Sequence, residues 1–280
     1  MHVGEVPTDR ALVERLLAAQ YPALRGEPVR AVRSTGTVNA IYRVGEEHYA
    51  RLPRMPEWAA ALRQECEWLP RLAAQLTLRV PEPVFLGEPD DGYPLPWAVF
   101  RWLEGEPYGE VDDELAAARA LAGFVRELHA IPVSDGVPRG GRPPLREVDE
   151  ITRAALETDV ARAAWERALE TPPWDGERVW AHNDLLRPNL LVRGGRLHAV
   201  IDWGSAGASD PALDLIPAWA VFDAPGRAAY RSALEVDDAT WERARGYALH
   251  QAALIIPYYR ETNPAFTALA LRTVEQLIRA

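Results

Sequence analysis

Residues 179–215 read VWAHNDLLRPNLLVRGGRLHAVIDWGSAGASDPALDL and hold the densest set of candidate catalytic side chains in the protein. After a short apolar run, His182, Asp184 and Asn189 follow in the spacing H-x-D-x-x-x-x-N. An imidazole, a carboxylate and an amide grouped in this way are side chains that can orient a hydroxyl and bind a metal ion. The stretch therefore predicts an active site.

The same stretch predicts a β-hairpin. Two apolar runs, 190–192 and 197–201, flank Gly194-Gly195, and a Gly-Gly pair between apolar runs is typical of a two-residue hairpin turn. The hairpin places Asn189 before its first strand and Asp202 after its second. Both side chains can therefore converge on one point.

Phosphoryl transfer from a nucleotide needs side chains of this kind. A carboxylate must position the acceptor hydroxyl and take its proton, and oxygen ligands must hold Mg²⁺ against the phosphates. Asp184 fits the first role, and Asn189 and Asp202 fit the second. The spacing matches the protein-kinase catalytic loop, with Asp202 at the position of the metal-binding aspartate. The alternative is that these residues only cap turns around the hairpin, but three of them at kinase spacing favour catalysis.

The motifs H-N-D-L-L-R-P-N, I-D-W-G (201–204) and D-P-A-L-D-L (210–215) resemble those of the aminoglycoside phosphotransferase family. Its members are antibiotic and other small-molecule kinases with a protein-kinase-like fold. The resemblance implies an α+β fold with two lobes. Residues 1–103 are expected to form a small antiparallel-sheet lobe that binds the nucleotide and ends in a hinge. Residues 104–280 are expected to form a mainly helical lobe with the catalytic loop, the metal site and the acceptor pocket.

The resemblance also implies the cofactors ATP and Mg²⁺, with GTP left open. A turn of small and hydroxyl-bearing residues can offer backbone N–H groups to phosphates. By similarity to the family, such a turn covers the β- and γ-phosphates here, and it consists of Ser34, Thr35, Gly36 and Thr37.

Arg51 is the main departure from the family, whose members carry a lysine on this strand. Arginine and lysine are not interchangeable, although a guanidinium can bind phosphate oxygens bidentately. The alternative is a solvated strand residue. By similarity, Glu65 on the predicted helix 57–76 is the partner of Arg51, in preference to Glu67, and the alternative is an exposed helix glutamate.

The apolar segment 97–103 resembles the hinge of the family, where backbone groups recognise the adenine base. Similarity places Phe100 at the gatekeeper position. It also places the C=O of Arg101 and the N–H of Leu103 towards the base. Because those contacts use the backbone, the side chains neither support nor oppose them.

Two residues of the catalytic loop are expected to support it. His182 orients the turn by hydrogen bonding, and Arg187 is the only cation that follows Asp184 in the loop. The absence of a lysine there argues against a protein substrate. Asn183 stands where relatives often have glycine, and the resemblance gives Asp210 and Asp214 a structural role as braces of the loop.

The sequence after the hinge predicts helices over 115–130, 147–169, 211–221, 224–234, 238–256 and 265–278. His129, at the end of the first of them, is expected to interact with the helix dipole. Five acidic residues of the second helix form either a wall that meets amino groups of the acceptor or a solvated face, and the solvated face is favoured. They are Glu147, Asp149, Glu150, Glu157 and Asp159.

Composition narrows the classes of partner. With Lys+Arg 31 and Asp+Glu 41 the net charge is −10, so nucleic acid is not expected as a partner. An acidic surface suits a cationic antibiotic, or it simply aids solubility. Cys66 is the single cysteine, so an internal disulfide is excluded. The sequence shows neither a signal peptide nor an apolar run of roughly 20 residues, so a cytoplasmic protein without a membrane segment is expected. Its oligomeric state, monomer or dimer, stays open.

The sequence therefore predicts an ATP-dependent phosphotransferase that acts on a hydroxyl of a small molecule. An aminoglycoside-like or other antibiotic is the leading acceptor, which implies resistance by O-phosphorylation. One alternative is a kinase of a metabolite such as an amino alcohol, homoserine or a sugar. The other is a nucleotide-binding module without catalysis, which the change from lysine to Arg51 suggests.

Overall fold

A five-stranded antiparallel sheet forms the centre of the first of two units, which comprises Met1–Ala74 and Arg79–Glu104. The computed structural model describes residues 5–32 and 38–279. The sheet has the strand order β1-β2-β3-β5-β4. The elements of this unit are α1 (Arg10–Gln20), β1 (Val29–Ala31), β2 (Asn39–Val44), β3 (His48–Pro53), α2 (Pro56–Ala73), β4 (Pro83–Gly87) and β5 (Trp97–Arg101).

Helix α1 covers part of this sheet because its apolar residues recur at helical spacing. The carboxylate of Asp9 caps the helix by accepting the N–H of Leu12 at 2.7 Å. Leu16 and Leu17 are buried in a core that they share with Leu52 of β3 and Trp97 of β5. Strand β3 lies between β2 and β5. Its central position buries Arg51, which is 6% exposed.

The second unit, Gln75–Leu78 with Gly105–Ala280, is mainly helical. It adds a three-stranded sheet of order β6-β8-β9 and a two-stranded sheet of β10 and β7. Its elements are β6 (Glu106–Pro107), α3 (Glu114–Ala130), α4 (Asp149–Ala155), α5 (Asp159–Glu170), β7 (Val179–Ala181), β8 (Leu190–Arg193), β9 (Arg196–Val200), β10 (Gly207–Ser209), α6 (Pro217–Ala220), α7 (Ala224–Leu234), α8 (Asp238–Tyr259) and α9 (Pro264–Arg279).

The predicted hairpin is confirmed as β8 and β9, which pair antiparallel. Gly194 and Gly195 have φ values of 56° and 70°. Positive φ at both central residues is the requirement of the tight turn whose twist matches that of the strands, and glycine meets it without strain. The backbone N–H of Ile201 donates to the C=O of Asn189 at 2.9 Å and closes the base of the hairpin.

Two of the predicted helices are interrupted. The prediction for 147–169 is wrong in its centre, because Leu156 and Thr158 are extended and Thr158 caps a new helix, α5, by accepting the N–H of Ala161. The prediction for 211–221 is also wrong. A 3₁₀ turn, Pro211–Leu215, precedes the short α6, because Pro217 has no N–H to continue an α-helical ladder.

Helix α8 is the longest in the described parts of the protein and is buried on most of its faces. It packs against α9, α5 and the 3₁₀ turn Pro211–Leu215. Within residues 5–32 and 38–279, every helix is too short or too polar to cross a membrane.

Candidate active site

The catalytic loop follows β7 and begins with a residue in the left-handed region. Asn183 has φ 68°, a conformation that glycine and asparagine adopt most readily. Its side-chain amide donates to the C=O of Ala181 at 3.1 Å and to that of Ser205 at 2.8 Å. Asparagine can therefore replace the glycine that is frequent here in the aminoglycoside phosphotransferases, and it adds two hydrogen bonds.

Asp214 stabilises this turn by accepting hydrogen bonds from its backbone. Its carboxylate is fully buried and accepts the backbone N–H of His182 at 2.9 Å and that of Asn183 at 2.7 Å. His129 Nε2 lies 3.1 Å from the same carboxylate. His129 lies in the last turn of α3, as expected of a partner of the helix dipole, and its imidazole also supplies a donor that the buried carboxylate requires.

His182 orients the loop rather than serving as a base. Its Nε2 lies 3.1 Å from the C=O of Ile201, and its Nδ1 accepts the backbone N–H of Asp184 at 3.3 Å. Its ring also packs edge-on against Trp203.

Two side-chain amides hold the Asp184 carboxylate. Asn189 Nδ2 donates to Oδ2 at 2.9 Å and also to the backbone carbonyl of Asp184 at 2.8 Å. Gln251 Nε2 donates to Oδ1 at 2.6 Å. Burial raises the pKa of Asp184, and the negative charge of Asp202 raises it further. The charges of Arg142 and His182 and the hydrogen bond from Gln251 oppose that rise in pKa. Asp184 is only half-buried, so part of the carboxylate can meet a substrate.

Asn189 and Asp202 lie at the two ends of the hairpin, as the sequence predicts. The amide nitrogen of Asn189 is bound to Asp184, which directs its oxygen away from that carboxylate. Asp202 is exposed and has φ 64°. An amide oxygen and a carboxylate are ligands that Mg²⁺ prefers, so the donor set fits this ion. Within residues 5–32 and 38–279, no three His, Cys, Asp or Glu side chains group into a metal site. The remaining ligands of such an ion would be water molecules and phosphate oxygens.

Arg187 does not reach Asp184. Its guanidinium donates to the C=O of Val221, from Nε at 3.2 Å and from Nη2 at 2.5 Å. It also lies over the Tyr108 ring, 5.6 Å from the centroid. Burial lowers the pKa of Arg187, and the nearby charge of Arg272 lowers it further. The side chain thus ties the catalytic loop to the end of α6.

In the first unit, Arg51 and Glu65 form a buried bidentate ion pair. Nη1 of Arg51 donates to Oε2 of Glu65 at 2.7 Å, and Nη2 donates to Oε1. The two residues are 6% and 4% exposed. The guanidinium also lies 5.8 Å from the centre of the Phe100 ring. The alternatives of a solvated strand residue and of an exposed helix glutamate are therefore excluded.

The other residues expected at the nucleotide lie at the end of β5. Phe100 is fully buried and stacks on Tyr49 at 5.2 Å between ring centroids. Arg101 directs its exposed side chain to Glu82, and Leu103 is buried. The expected phosphate-binding turn, Ser34, Thr35, Gly36 and Thr37, lies outside the described residues.

Sequence reasoning missed two polar residues beside Asp184. Gln251, on α8, binds its carboxylate directly. Arg142, in the loop before the 3₁₀ turn Leu145–Val148, acts on it through its charge. Neither belongs to a motif. The one signal for Gln251 is that it forms, with His250, a polar pair within the apolar run of α8.

Of the five acidic residues expected on the second predicted helix, three pair with arginines and two are exposed. Asp149 and Glu166 both bind Arg153. Asp159 binds Arg162 at 3.0 Å, and Glu157 binds Arg260. Glu147 and Glu150 are exposed. Of the two alternatives, the structure therefore shows the solvated face, on which several of the acidic residues form ion pairs.

Comparison with known families finds a match over residues 30–247 to the model described as phosphotransferase enzyme family. An aminoglycoside 3'-phosphotransferase of Escherichia coli is 33% identical over 117 residues, which are 38% of this chain and 43% of the relative. One of Niallia circulans is 28% identical over 56% of this chain and 63% of the relative. The protein thus matches about half the length of these curated relatives.

Solved structures extend the likeness to nearly the whole protein. The GDP complex of wild-type aminoglycoside 2'-phosphotransferase-IIIa superposes with a TM-score of 0.76 at 20% identity, covering 97% of this chain and 99% of that one. Macrolide 2'-phosphotransferase type I gives 0.69 at 20% identity, covering 97% and 98%. At such identities the likeness shows the fold alone, and it confirms the expected protein-kinase-like α+β fold.

Proposed function

Because the chain belongs to the phosphotransferase enzyme family, we propose that it transfers the γ-phosphate of ATP to a hydroxyl of a small molecule, with antibiotics as the leading acceptors. The observation that carries the proposal is the arrangement around Asp184. Two amides fix this carboxylate, part of it stays exposed, and its pKa is raised. A fixed carboxylate of raised pKa is suited to accept a proton from a hydroxyl.

In the proposed reaction the acceptor oxygen bonds to the γ-phosphorus as the bond from that phosphorus to the β,γ-bridging oxygen breaks. The hydroxyl proton passes to Asp184 and then to solvent, and the products are a phosphate monoester and ADP. Because little covalent chemistry falls to the protein, positioning and charge neutralisation supply most of the rate. The hydrogen bonds from Asn189 and Gln251 fix the direction of the Asp184 carboxylate, and His182 fixes the loop.

Asn189 and Asp202 would hold Mg²⁺, which neutralises charge on the phosphates when it is bound. We assign the α- and β-phosphates to Arg51, which Glu65 keeps in one orientation, and the β- and γ-phosphates to Ser34, Thr35, Gly36 and Thr37. Phe100, Arg101 and Leu103 are assigned to the base. Relatives have been solved with GDP and with ADP, so ATP and GTP are both candidate donors.

Two other functions would use parts of the same site. A non-catalytic nucleotide-binding module has no need of Asp184, whereas this protein holds the carboxylate with two amides and braces its loop with Asp214. The buried Arg51–Glu65 pair also favours a catalytic protein over a nucleotide-binding module that has lost catalysis. A metabolite kinase uses the same machinery and differs only in the acceptor.

The test is an acceptor panel with the full-length protein, Mg²⁺ and either ATP or GTP. The panel contains kanamycin, gentamicin, streptomycin, a macrolide, homoserine, an amino alcohol and sugars, and mass spectrometry detects the added phosphoryl group. We expect a phosphorylated product from at least one acceptor, and none from the Asp184→Asn variant, which should still bind nucleotide. If the wild type forms neither product nor ADP, the proposal is wrong. If only metabolites react, the metabolite kinase is correct.

A further inference from the structure

An open pocket of about 320 Å³ is lined by the catalytic loop and by the helices α8 and α9. Its volume is at the lower end of the range of about 300–1,000 Å³ that small-molecule sites occupy. Every residue that lines it belongs to the second unit. Leu186, Arg187 and Pro188 of the catalytic loop contribute one wall. The pocket is therefore built on the loop that carries Asp184.

Gln251 joins this pocket to Asp184. The residue lines the pocket, and its Nε2 donates to Oδ1 of Asp184 at 2.6 Å. The loop turns immediately after Asp184, since the N–H of Leu186 donates to the C=O of Asp184 at 2.9 Å, and the turn brings Leu186 into the wall. One side-chain amide thus connects the proposed base with the pocket. A molecule whose hydroxyl meets Asp184 can place its neighbouring atoms there.

The walls on α8 and α9 are apolar and partly uncovered. Ile255, Phe266 and Leu269 line the pocket and are each half-buried. Ala252 and Ala270 also line it, and their small side chains leave space that larger residues would fill. Single apolar side chains on a surface need no explanation, but several in one concave site indicate a ligand. An apolar group that covers these walls would be stabilised by the hydrophobic effect.

The carbonyl oxygen of Gln251 adds a polar requirement. Gln251 is 5% exposed, and in the described parts of the protein its Oε1 is buried without a hydrogen-bond partner. The reversed orientation of the amide would place this oxygen against the Asp184 carboxylate, which accepts hydrogen bonds and does not donate them when ionised. A buried carbonyl without a donor is costly. A ligand that presents an N–H or O–H group beside its apolar part would relieve that cost.

We propose that this pocket binds a compact apolar group of the acceptor, next to the hydroxyl that is phosphorylated. The acceptor is then an alcohol that carries an alkyl or aryl group and a neighbouring N–H or O–H donor for Gln251. This inference rests on the proposed phosphotransfer and names a feature of its acceptor, whether that molecule is an antibiotic or a metabolite. It sets no condition on charge elsewhere in the acceptor. Ile255 and Ala270 act in it as specificity-determining residues.

The test uses two series of small alcohols that differ in charge and grow by one CH₂ at a time. One series runs from ethylene glycol to 1,2-hexanediol, and the other from 2-aminoethanol to 2-amino-1-hexanol. Both are assayed as acceptors with the whole protein, Mg²⁺ and either ATP or GTP. We expect kcat/KM to rise about fourfold with each CH₂ until the pocket is filled, chiefly through KM, since burial of a CH₂ contributes about 0.8 kcal/mol. The rise should be the same in both series.

Two variants change the pocket in opposite ways. Ile255→Thr keeps the shape of the wall but makes it more polar, so the rise of kcat/KM with chain length should flatten. Ala270→Leu fills the pocket, so the longer alcohols should lose their advantage over the shortest one. Leu254→Thr is the matched control, because Leu254 is half-buried on the same helix and lies outside the pocket lining. Urea unfolding shows whether each variant folds, and Ile255→Thr decides alone if Ala270→Leu does not.

The inference is wrong if kcat/KM of the wild type does not depend on chain length. It is also wrong if the rise survives both pocket variants, because the apolar group would then bind elsewhere, or if Leu254→Thr flattens it as much as Ile255→Thr. If neither series is phosphorylated, calorimetry with the longest members decides. Binding that Ile255→Thr weakens supports the inference, and the absence of binding overturns it. The proposed function fails separately, when the wild type phosphorylates none of the acceptors in its own panel.

Discussion

Asp184 belongs to the catalytic loop and Asp214 to the 3₁₀ turn Pro211–Leu215 that supports this loop, and the fold treats the two carboxylates in opposite ways. Asp214 is fully buried, and backbone N–H groups of the loop bind both of its oxygens. Asp184 is held by two side-chain amides and keeps part of its surface open. A carboxylate that the backbone saturates can only support the structure. One that side chains orient, with a face left open, remains available for chemistry.

Replacing Asp184 gives the largest expected effect and tests whether the accessible carboxylate is the one that takes part in the chemistry. We expect Asp184→Asn to lower kcat by at least about 10³-fold, because the base is lost while the amide of the new side chain keeps the size of the old one. Nucleotide affinity and the free energy of unfolding should change little. Steady-state kinetics, calorimetry with ATP and urea unfolding measure the three quantities. Turnover within tenfold of the wild type would show that Asp184 is not the base.

Replacing Asp214 tests whether the buried carboxylate has a structural role. The effect should appear in the free energy of unfolding. We expect Asp214→Asn to lower the free energy of unfolding by about 4 kcal/mol, because an amide can replace only part of the charge-assisted hydrogen bonds. Activity should fall as a consequence of the displaced loop. Urea unfolding measures the loss, with the exposed Asp175→Asn as control. An equally stable but inactive Asp214→Asn protein would contradict the distinction between the two carboxylates.

The structural features that could be predicted from the sequence are those formed by neighbouring residues or by motifs. The hairpin follows from neighbours in the sequence, because two glycines between apolar runs have few other solutions. The partnership of Arg51 with Glu65 was predicted by similarity to the family, and the structure pairs these residues. His182, Asp184, Asn189 and Asp202 could be grouped because they share one contiguous stretch, and their catalytic and metal-binding roles stay predictions.

The distant residues that meet the catalytic loop could not be predicted from the sequence, because their positions depend on tertiary packing. Gln251 lies 67 residues after Asp184 and meets it only because α8 packs behind the loop. Gly140 and Gly141 contact Asn183 of the catalytic loop from a distant segment of the sequence. Acceptor specificity is assembled from such distant residues, so one sequence does not reveal it. The broken helix at 147–169 was a smaller miss, and Thr158 was the overlooked N-cap signal.

His250 offers a test that depends on pH, because it is buried and its pKa is lowered. Burial lowers its pKa to about 4, and the charge of Arg142 lowers it further. Its Nδ1 donates to the hydroxyl of Thr152, which in turn donates to Val148, and its ring faces Trp165. Between pH 6.5 and pH 4 the unfolded protein therefore binds a proton at His250, whereas the native protein does not.

The sign of the pH effect follows from that difference. The contribution of His250 to stability is complete above its ordinary pKa of about 6.5, and about 3 kcal/mol is lost by pH 4. The measurement is urea unfolding from pH 7 to pH 4 of the wild type and of His250→Gln, which keeps a donor for Thr152 and cannot titrate. We expect the variant to lose less stability in acid. Parallel curves would mean that His250 is charged in the native protein.

Gly140 gives the smallest expected effect and tests how segment 138–142 supports the catalytic loop. A Cβ at this position would lie 2.6 Å from the Asn183 amide and 2.7 Å from the backbone nitrogen of Gly207. We expect Gly140→Ala to cost about 2 kcal/mol of unfolding free energy, because the backbone must move. Gly123→Ala in α3 is the matched control, since it meets nothing within 4 Å and should stabilise that helix by up to about 1 kcal/mol. If segment 138–142 supports the catalytic loop through Asn183, Gly140→Ala must also lower kcat, which steady-state kinetics measures. An unchanged kcat would show that the loop keeps its position without the glycine contact on Asn183.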